Sequence, residues 1–341
     1  MKAVLYSAPR EFAVGDVDAV EPGPRDVRIR VHQTGLCGTD KHIHEGDFTA
    51  EFPLVPGHEI VGTVESIGAE VTSVHTGQWV TVNPNMSCGH CDQCRRGRQL
   101  LCRNLTGIGS NSDGGFAELI TVPADVVFDV EGLDPDVAVF AEPAACALHG
   151  LETLSPRPGT SALILGSGAT GLLLAQMLAS GGVAHVTVAS PTEHQLERAR
   201  NLGIDSTVLI ERDLPDSSVQ RLFEQSEGGF DYVVEATGSA RVGARCVELT
   251  RVGGTVMVYG VTHPEDTFPV HPYDLFRREI TIKGSFAEIA SFPAAIAALR
   301  SGRVRTDGLI THRFGLADYG EALDAFSNDK TLHKAIVSPG A

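Results

Sequence analysis

Cys37, Thr39, Asp40, His42, His58 and Glu59 all fall within one short stretch, GLCGTDKHIHEGDF…PLVPGHEIVG, residues 35–62. Thiolate, imidazole and carboxylate are the side chains that zinc takes as ligands. A catalytic zinc needs about three protein ligands and an open position for a water or a substrate oxygen. Cys37 and His58 supply two, and Glu59 or a later carboxylate supplies the third. Cys37 taken alone reads as a buried core thiol. Gly35, Gly38, Gly57 and Gly62 shift the balance, because they are expected to let the backbone turn tightly on both sides of each ligand. His58, between a glycine and an acid, is expected at a turn and not on the apolar face of a helix.

A second cluster, CGHCDQCRRGRQLLC, places Cys88, Cys91, Cys94 and Cys102 at C-x2-C-x2-C-x7-C spacing. Four thiolates at such intervals can converge on one tetrahedral zinc, and a closed four-cysteine site is structural. Disulfides fit less well, since cysteines with only two residues between them seldom bridge. A ferredoxin-type cluster would end in Cys-Pro, which this run does not. The expected task of the metal is to clip a lobe that cannot bury enough apolar surface by itself.

A third motif lies in SALILGSGATGLLLAQMLASGG: Gly166, Gly168 and Gly171 form G-x-G-x-x-G after an apolar strand and at the opening of an apolar helix. The first glycine allows the tight turn and the second admits a pyrophosphate, with Ala169 and Thr170 beside it at the helix start. The third lets helix and strand pack closely. A second strand, HVTVAS, follows at the right distance. Its end should carry an acid if the ribose 2′-hydroxyl of NAD is to be held. Ser190 stands there instead, followed by Thr192. Loss of that carboxylate removes repulsion against a 2′-phosphate, so the reading favours NADP over NAD. His194, Arg198 and Arg200 are the nearby sources of positive charge, while no arginine stands directly beside Ser190. Ser190 read simply as a helix cap would be compatible with either cofactor.

These motifs need elements to hold them. Short strands punctuated by Gly and Pro (KAVLYS, VRIRVHQTG, IVGTVESIG, QWVTVNP) predict a small β-rich domain carrying both cysteine clusters on its loops. Glu142 precedes Pro143 and an alanine-rich helix start, where an acid facing the helix dipole is ordinary. From 146 the chain alternates strand and helix through STVLI, FDYVVEATG, GGTVMVYG and EITIKGS, which predicts a doubly wound nucleotide-binding fold. Two amphipathic helices and a last strand, AIVSPG, then return to the first domain. The expected division is 1–145 with 286–341, and 146–285. The 341 residues suffice for two such cores. A net charge of −16 argues against a nucleic-acid partner. No apolar run reaches the length of a membrane span and no signal-peptide core is present, so a cytoplasmic protein is expected. Four cysteines crowded together in such a chain indicate metal before disulfide.

With both clusters and the nucleotide motif in this order, the chain resembles the zinc-dependent medium-chain dehydrogenase/reductase family over essentially its whole length. The resemblance is most specific at CGTDKH, GHEIVG, CGHCDQC…C, AEPAACALHG and GSGATG. It implies a Rossmann doubly wound parallel sheet with a discontinuous β-rich GroES-like catalytic domain. By that likeness Cys37 and His58 match catalytic-zinc ligands, and Glu142 falls where the third ligand or a nearby carboxylate sits. Glu59 matches an acid that binds zinc in some members and leaves it in others. Thr39 matches the hydroxyl that passes on the substrate proton, and His42 the histidine that relays it to solvent. Thr237, Gly260 and Phe286 are carried over as cofactor contacts. Within the family, HPYDLFRREITIKGSF and Glu142 look most like polyol and sugar dehydrogenases. The expected activity is hydride transfer between NAD(P) and a secondary alcohol, polyol or sugar. Ala287 stands where sorbitol dehydrogenases carry Arg, and Ile43 where they carry an aromatic, which argues against sorbitol itself. A zinc-free quinone or enone reductase of the same fold is one alternative, and a non-catalytic NADP-binding protein another. The resemblance also implies a homodimer or homotetramer, with EITIKGS a candidate pairing edge.

Overall fold

The computed structural model describes residues 1–340, and within it the chain forms two compact units. One comprises Met1–Ala145, Glu288–Arg300 and the chain from Gly308 onward; the other comprises Cys146–Ala287 and Ser301–Asp307.

The first unit is built on a seven-stranded sheet whose centre is the long strand Asp26–Leu36. That strand alternates inward valine and isoleucine with outward arginine, which buries one face: Val27, Ile29 and Val31 pack with Ile60, Val64, Val80, Val82, Ile120 and Val122. It pairs antiparallel with Glu59–Ile67 on one side and Lys334–Ser338 on the other. Gly35 lies opposite Glu59 in the first pairing and opposite Ile336 in the second. The C-terminal strand is thereby brought beside residues far upstream. A second core gathers Tyr6, Leu36, Phe116, Tyr319 and Leu323 around the helix Tyr319–Asn328.

The second unit holds a six-stranded parallel sheet. In order across the sheet its strands are Ser206–Leu209, His185–Ser190, Ser161–Leu165, Phe230–Glu235, Thr250–Val258 and Thr281–Gly284. Numbered by sequence this is 3-2-1-4-5-6, the doubly wound order of dinucleotide-binding folds. The inner strands are apolar on both faces, as a sheet covered by helices requires. Leu163, Leu165, Val233 and Val256 meet Leu222, Val242 and Leu249 from the helical layer.

The sequence reading returns the chain to the first unit at 286. In the structure Phe286, Ala287 and Ser301–Asp307 belong with the nucleotide unit. The reason is visible at Gln176, whose Nε2 donates to the Arg305 carbonyl (3.0 Å) while its Oε1 accepts from the Arg305 amide (2.8 Å). Among the described residues no helix is long and apolar enough to cross a membrane.

Candidate active site and metal centres

The strand Asp26–Leu36 ends at Cys37, which caps the helix Gly38–Glu45. Asp40, at the third helical position, accepts a hydrogen bond from the Cys37 amide through Oδ2 at 2.9 Å, and this sets the direction in which the thiol leaves the helix. The other oxygen, Oδ1, faces His58 Nδ1 at 3.7 Å. His58 follows Gly57, whose φ of +98° only glycine adopts without strain, and whose missing Cβ leaves room for Phe116. The other three glycines are not left-handed turns. Gly35 and Gly62 make room for neighbouring groups, and a Cβ at Gly38 would meet nothing within 4 Å.

Cys37, His58 and Glu59 come together with their ligand atoms within 4.8 Å of one another. His58 and Glu59 are buried and Cys37 is half-buried. Burial works against charge on His58, but the Asp40 carboxylate and the Cys37 sulfur outweigh it and hold the imidazole well above its ordinary range. The field that favours a proton there favours a metal cation too. His58 Nδ1 and Asp40 Oδ1, which face one another, are buried without a hydrogen bond, and Glu59 Oε2 is buried against the Lys334 ammonium. A soft thiolate, an imidazole and a carboxylate that converge in this way fit zinc. Glu142 is not among the three; it lies buried in the first turn of the helix Ala141–Leu154.

Thr39 and His42 stand three residues apart on the helix that Cys37 caps, and so share a face. Thr39 Oγ1 is 3.9 Å from Cys37 Sγ. His42 Nδ1 bonds Asp47 Oδ1 at 2.9 Å and its side chain keeps 24% exposure, which gives it contact with water.

Three functional candidates escape a reading of local motifs. Asp40 orients His58, in the manner of outer carboxylates that fix a ligating histidine. Its only local signal is its place three residues after Cys37. Lys334 forms a buried ion pair with Glu59. Burial alone would strip Lys334 of its charge, but Glu59, Cys37 and Glu142 outweigh it and hold the ammonium above its ordinary range. Glu288 is fully buried beside Asn83, and burial, then the charge of Glu142, push its carboxyl up to about 8. No periodicity or spacing in the sequence marks either residue.

In the second cluster the sulfurs of Cys88 and Cys94 are 4.0 Å apart, those of Cys91 and Cys94 3.5 Å, and those of Cys91 and Cys102 3.9 Å. A tetrahedral zinc with Zn–S bonds near 2.3 Å requires sulfurs about 3.8 Å apart. All seven cysteines are unbridged. The amides of Cys88 and Asn104 donate to Cys102 Sγ, each at 3.3 Å. Amides of Cys94 and Arg103 pull the Cys91 thiol down to about 6. Burial and the neighbouring thiols push Cys94 up to about 11, and the convergence of four sulfurs at these distances fits a structural zinc.

In the nucleotide unit the first strand ends at Gly166, with φ +114°; a Cβ there would meet the Ala236 carbonyl at 2.7 Å. Gly168 is exposed at the N-terminus of the helix Ala169–Ser180, with open space where a Cβ would stand. A Cβ on Gly171 would meet the Gly166 carbonyl at 2.5 Å. Ala169 and Thr170 occupy the first helical turn. Glu235, at the end of its strand, accepts from the Thr237 amide, and a Cβ on Gly260 would strike the Gly238 amide nitrogen at 2.2 Å, so these turns pack backbone to backbone. Phe286 is 52% exposed. Ser190 ends the second strand as expected, but it is buried and its hydroxyl donates to Gln195 Oε1 (3.0 Å), which also accepts from Ser167 (2.8 Å). Ser190 is therefore not a helix cap; Thr192 holds that position. Arg200 turns away, bonded to Glu193 and Thr207.

Comparison with known proteins agrees with this architecture. Residues 23–132 match the alcohol dehydrogenase GroES-like domain, and residues 169–301 match the zinc-binding dehydrogenase domain. The chain is 39% identical over 338 residues to D-arabinitol dehydrogenase 1 of Uromyces fabae, covering 98% of this chain and 97% of that one. The chain belongs to the zinc-dependent medium-chain dehydrogenase family. It is also 34% identical over 325 residues to D-altritol 5-dehydrogenase of Agrobacterium fabrum, covering 93% and 94% of the two chains. A zinc-binding dehydrogenase of Sinorhizobium meliloti 1021, solved bound to NADP, superposes with a TM-score of 0.92 at 33% identity, covering 99% of each chain. As a member of this family the chain is an NAD(P)-dependent zinc oxidoreductase.

Proposed function

We propose that this dehydrogenase oxidises a secondary hydroxyl of a polyol, or reduces the matching ketose, with NADP preferred over NAD. The observation that carries the reading is the convergence of Cys37, His58 and Glu59, with Asp40 behind His58. The two relatives named for D-arabinitol and D-altritol support the substrate class.

Cys37 and His58, with Glu59 or Glu142 completing the set, would hold a zinc, which when bound would supply Lewis acidity that makes an alcohol proton easier to remove. The nicotinamide supplies the hydride acceptor. The chain's own work is to place and move the proton. Thr39 takes it from the substrate hydroxyl beside Cys37, and His42, one turn further and open to water, hands it to solvent. Asp47 holds the His42 ring in place for this transfer. Gly168 leaves the backbone open to a pyrophosphate at a helix N-terminus, with Ala169, Thr170, Thr237, Gly260 and Phe286 around the same end of the sheet.

For the 2′-phosphate, support comes from His194 and Arg198. They lie one helical turn apart beyond Ser190 and Thr192, and His194 Nε2 and Arg198 Nη1 are buried without a hydrogen-bond partner. The Cys88–Cys102 loop holds a second, structural zinc. A homo-oligomer is supported by Thr281–Gly284, an open sheet edge, with Tyr273, Phe276 and Ile282 exposed around it. Seven unbridged cysteines accord with a cytoplasmic place.

The deciding experiment follows nicotinamide absorbance with NAD and with NADP over short polyols and simple secondary alcohols, with and without a chelator. Chelator-sensitive polyol oxidation that prefers NADP is expected. Cys37→Ser should abolish turnover and leave cofactor binding near normal. Turnover that persists after full zinc removal would refute the mechanism, and NAD preference would refute the cofactor assignment alone.

A further inference from the structure

The strand order of the nucleotide unit, 3-2-1-4-5-6, reverses between Ser161–Leu165 and Phe230–Glu235. A dinucleotide lies across the carboxyl ends of the strands at such a reversal. Glu235 is the last residue of the strand that faces the glycine motif there; it is 1% exposed and follows the buried Val233 and Val234. A carboxylate thus stands where a sheet covered on both faces calls for an apolar group. Its Oε1 accepts from the Thr237 amide at 2.7 Å and from the Thr237 hydroxyl, and its Oε2 accepts from the Gly238 amide at 3.3 Å. The Glu235 backbone carbonyl accepts from the amides of Tyr259 and Gly260, both at 2.9 Å. Gly260 lies so close that a Cβ there would fall 2.9 Å from Glu235 Oε2. On the other side, the Ala236 amide donates to the Leu165 carbonyl at 2.9 Å, and a Cβ on Gly166 would meet Thr237 Cγ2 at 3.1 Å. The turn that Glu235 holds therefore joins those that follow the first and fifth strands.

We propose that Glu235 is a positioning residue for the dinucleotide: it shapes the turn 236–238 and seats it between Gly166 and Gly260, so that the backbone bordering the cofactor is set before the cofactor arrives. The inference rests on the reading of the glycine motif, Thr237 and Gly260 as cofactor-facing, and deepens it by naming the group that holds them. Glu235 is itself enclosed and acts through Thr237 and Gly238. A buried acid is costly unless its oxygens are satisfied, and a well-packed apolar side chain in its place would stabilise the sheet at least as well. Burial holds the Glu235 carboxyl above its ordinary range even against the bonds it accepts. What the carboxylate adds is direction, since its two oxygens fix the Thr237 amide, the Thr237 hydroxyl and the Gly238 amide at once.

The test uses the full-length, zinc-loaded enzyme, with dissociation constants for NADPH and NADH read from nicotinamide fluorescence. Glu235→Leu should weaken binding of both about tenfold or more, the scale of hydrogen bonds to a charged group, with zinc content unchanged. Glu235→Gln keeps one acceptor for Thr237 but turns an NH2 group toward the Gly238 amide, so its loss should fall between those of wild type and Glu235→Leu. Leu222→Ala opens the core beneath the sheet and serves as the control for stability alone. It should lower Tm and leave both dissociation constants unchanged. Glu235→Leu that binds as wild type does would overturn the proposal, as would an equal loss of binding in Leu222→Ala. If Glu235→Leu does not fold, a cycle of Glu235→Gln and Thr237→Val takes its place. Losses that are less than additive support action through Thr237, and fully additive losses refute it. Failure of the underlying nucleotide reading would look different: wild type would bind neither NADPH nor NADH, or Gly171→Ala would bind them as wild type does.

Discussion

Replacing Asp40 with Asn is the sharpest probe of how the fold prepares the metal site. The carboxylate is buried, at 1% exposure, and serves two neighbours at once: the Cys37 amide at 2.9 Å and His58 Nδ1 at 3.7 Å. An asparagine has the same shape but only one acceptor oxygen. The Cys37 amide is fixed by the helix start and can only donate, so it claims that oxygen. The NH2 group is then turned toward His58 Nδ1 and favours the tautomer with its proton on Nε2, which leaves no lone pair there for a metal. Loss of such a partner weakens metal affinity by about 10–100-fold, or about 1.4–2.7 kcal/mol. Asp40→Ala should lose this and also leave the Cys37 amide unpaired, at a cost to folding of about 1–3 kcal/mol. Zinc release to a chromogenic chelator measures the effect, with the Cys88–Cys102 zinc as an internal control that should not change. Release from the Cys37 site of Asp40→Asn at the wild-type rate would refute the assignment of Asp40 as the residue that orients His58.

Three further outcomes are expected. Gly171→Ala puts a methyl 2.5 Å from the Gly166 carbonyl; it should weaken NADPH binding about tenfold or more, seen by nucleotide fluorescence, with zinc content unchanged. Cys91→Ser should lower zinc from two to one per chain by elemental analysis and make residues 88–102 the first site of proteolysis, since the lobe depends on its metal. Burial holds the Glu235 carboxyl above its ordinary range, against the hydrogen bonds that Thr237 and Gly238 donate to it. The folded state therefore keeps this proton after the unfolded chain has lost it, so stability falls as pH rises from the ordinary carboxylate range through the raised folded value. Glu235→Gln removes that titration. The Tm of wild type minus that of the variant should decrease with pH over this window in calorimetry; a difference independent of pH would show that Glu235 does not titrate as described.

Much of the molecule is written in short stretches. Cys88, Cys91, Cys94 and Cys102 converge within one short loop, so their spacing itself carries the geometry. Gly166, Gly168 and Gly171 answer to a single strand–turn–helix junction, and Cys37 and Asp40 to a single helix start. Alternation of strand and helix after 146 leads to a doubly wound sheet, since each parallel crossover needs a helix. The second-strand position was legible and its consequence was not: Ser190 stands where expected, but its hydroxyl is held by Gln195.

By itself, then, the sequence determined the fold class and the family and marked both ligand clusters and the nucleotide motif, because the chemistry of each is satisfied within a few residues or by a regular alternation. Only the tertiary structure decided what lies behind the ligands. It turned Asp40 toward His58, set Glu288 beside Asn83 some 205 residues away, and carried the last strand back so that Lys334 meets Glu59 over Gly35. The physical reason is that a buried charge must find its partner wherever the sheet brings one, and strand order in a sheet is not a property of any local stretch.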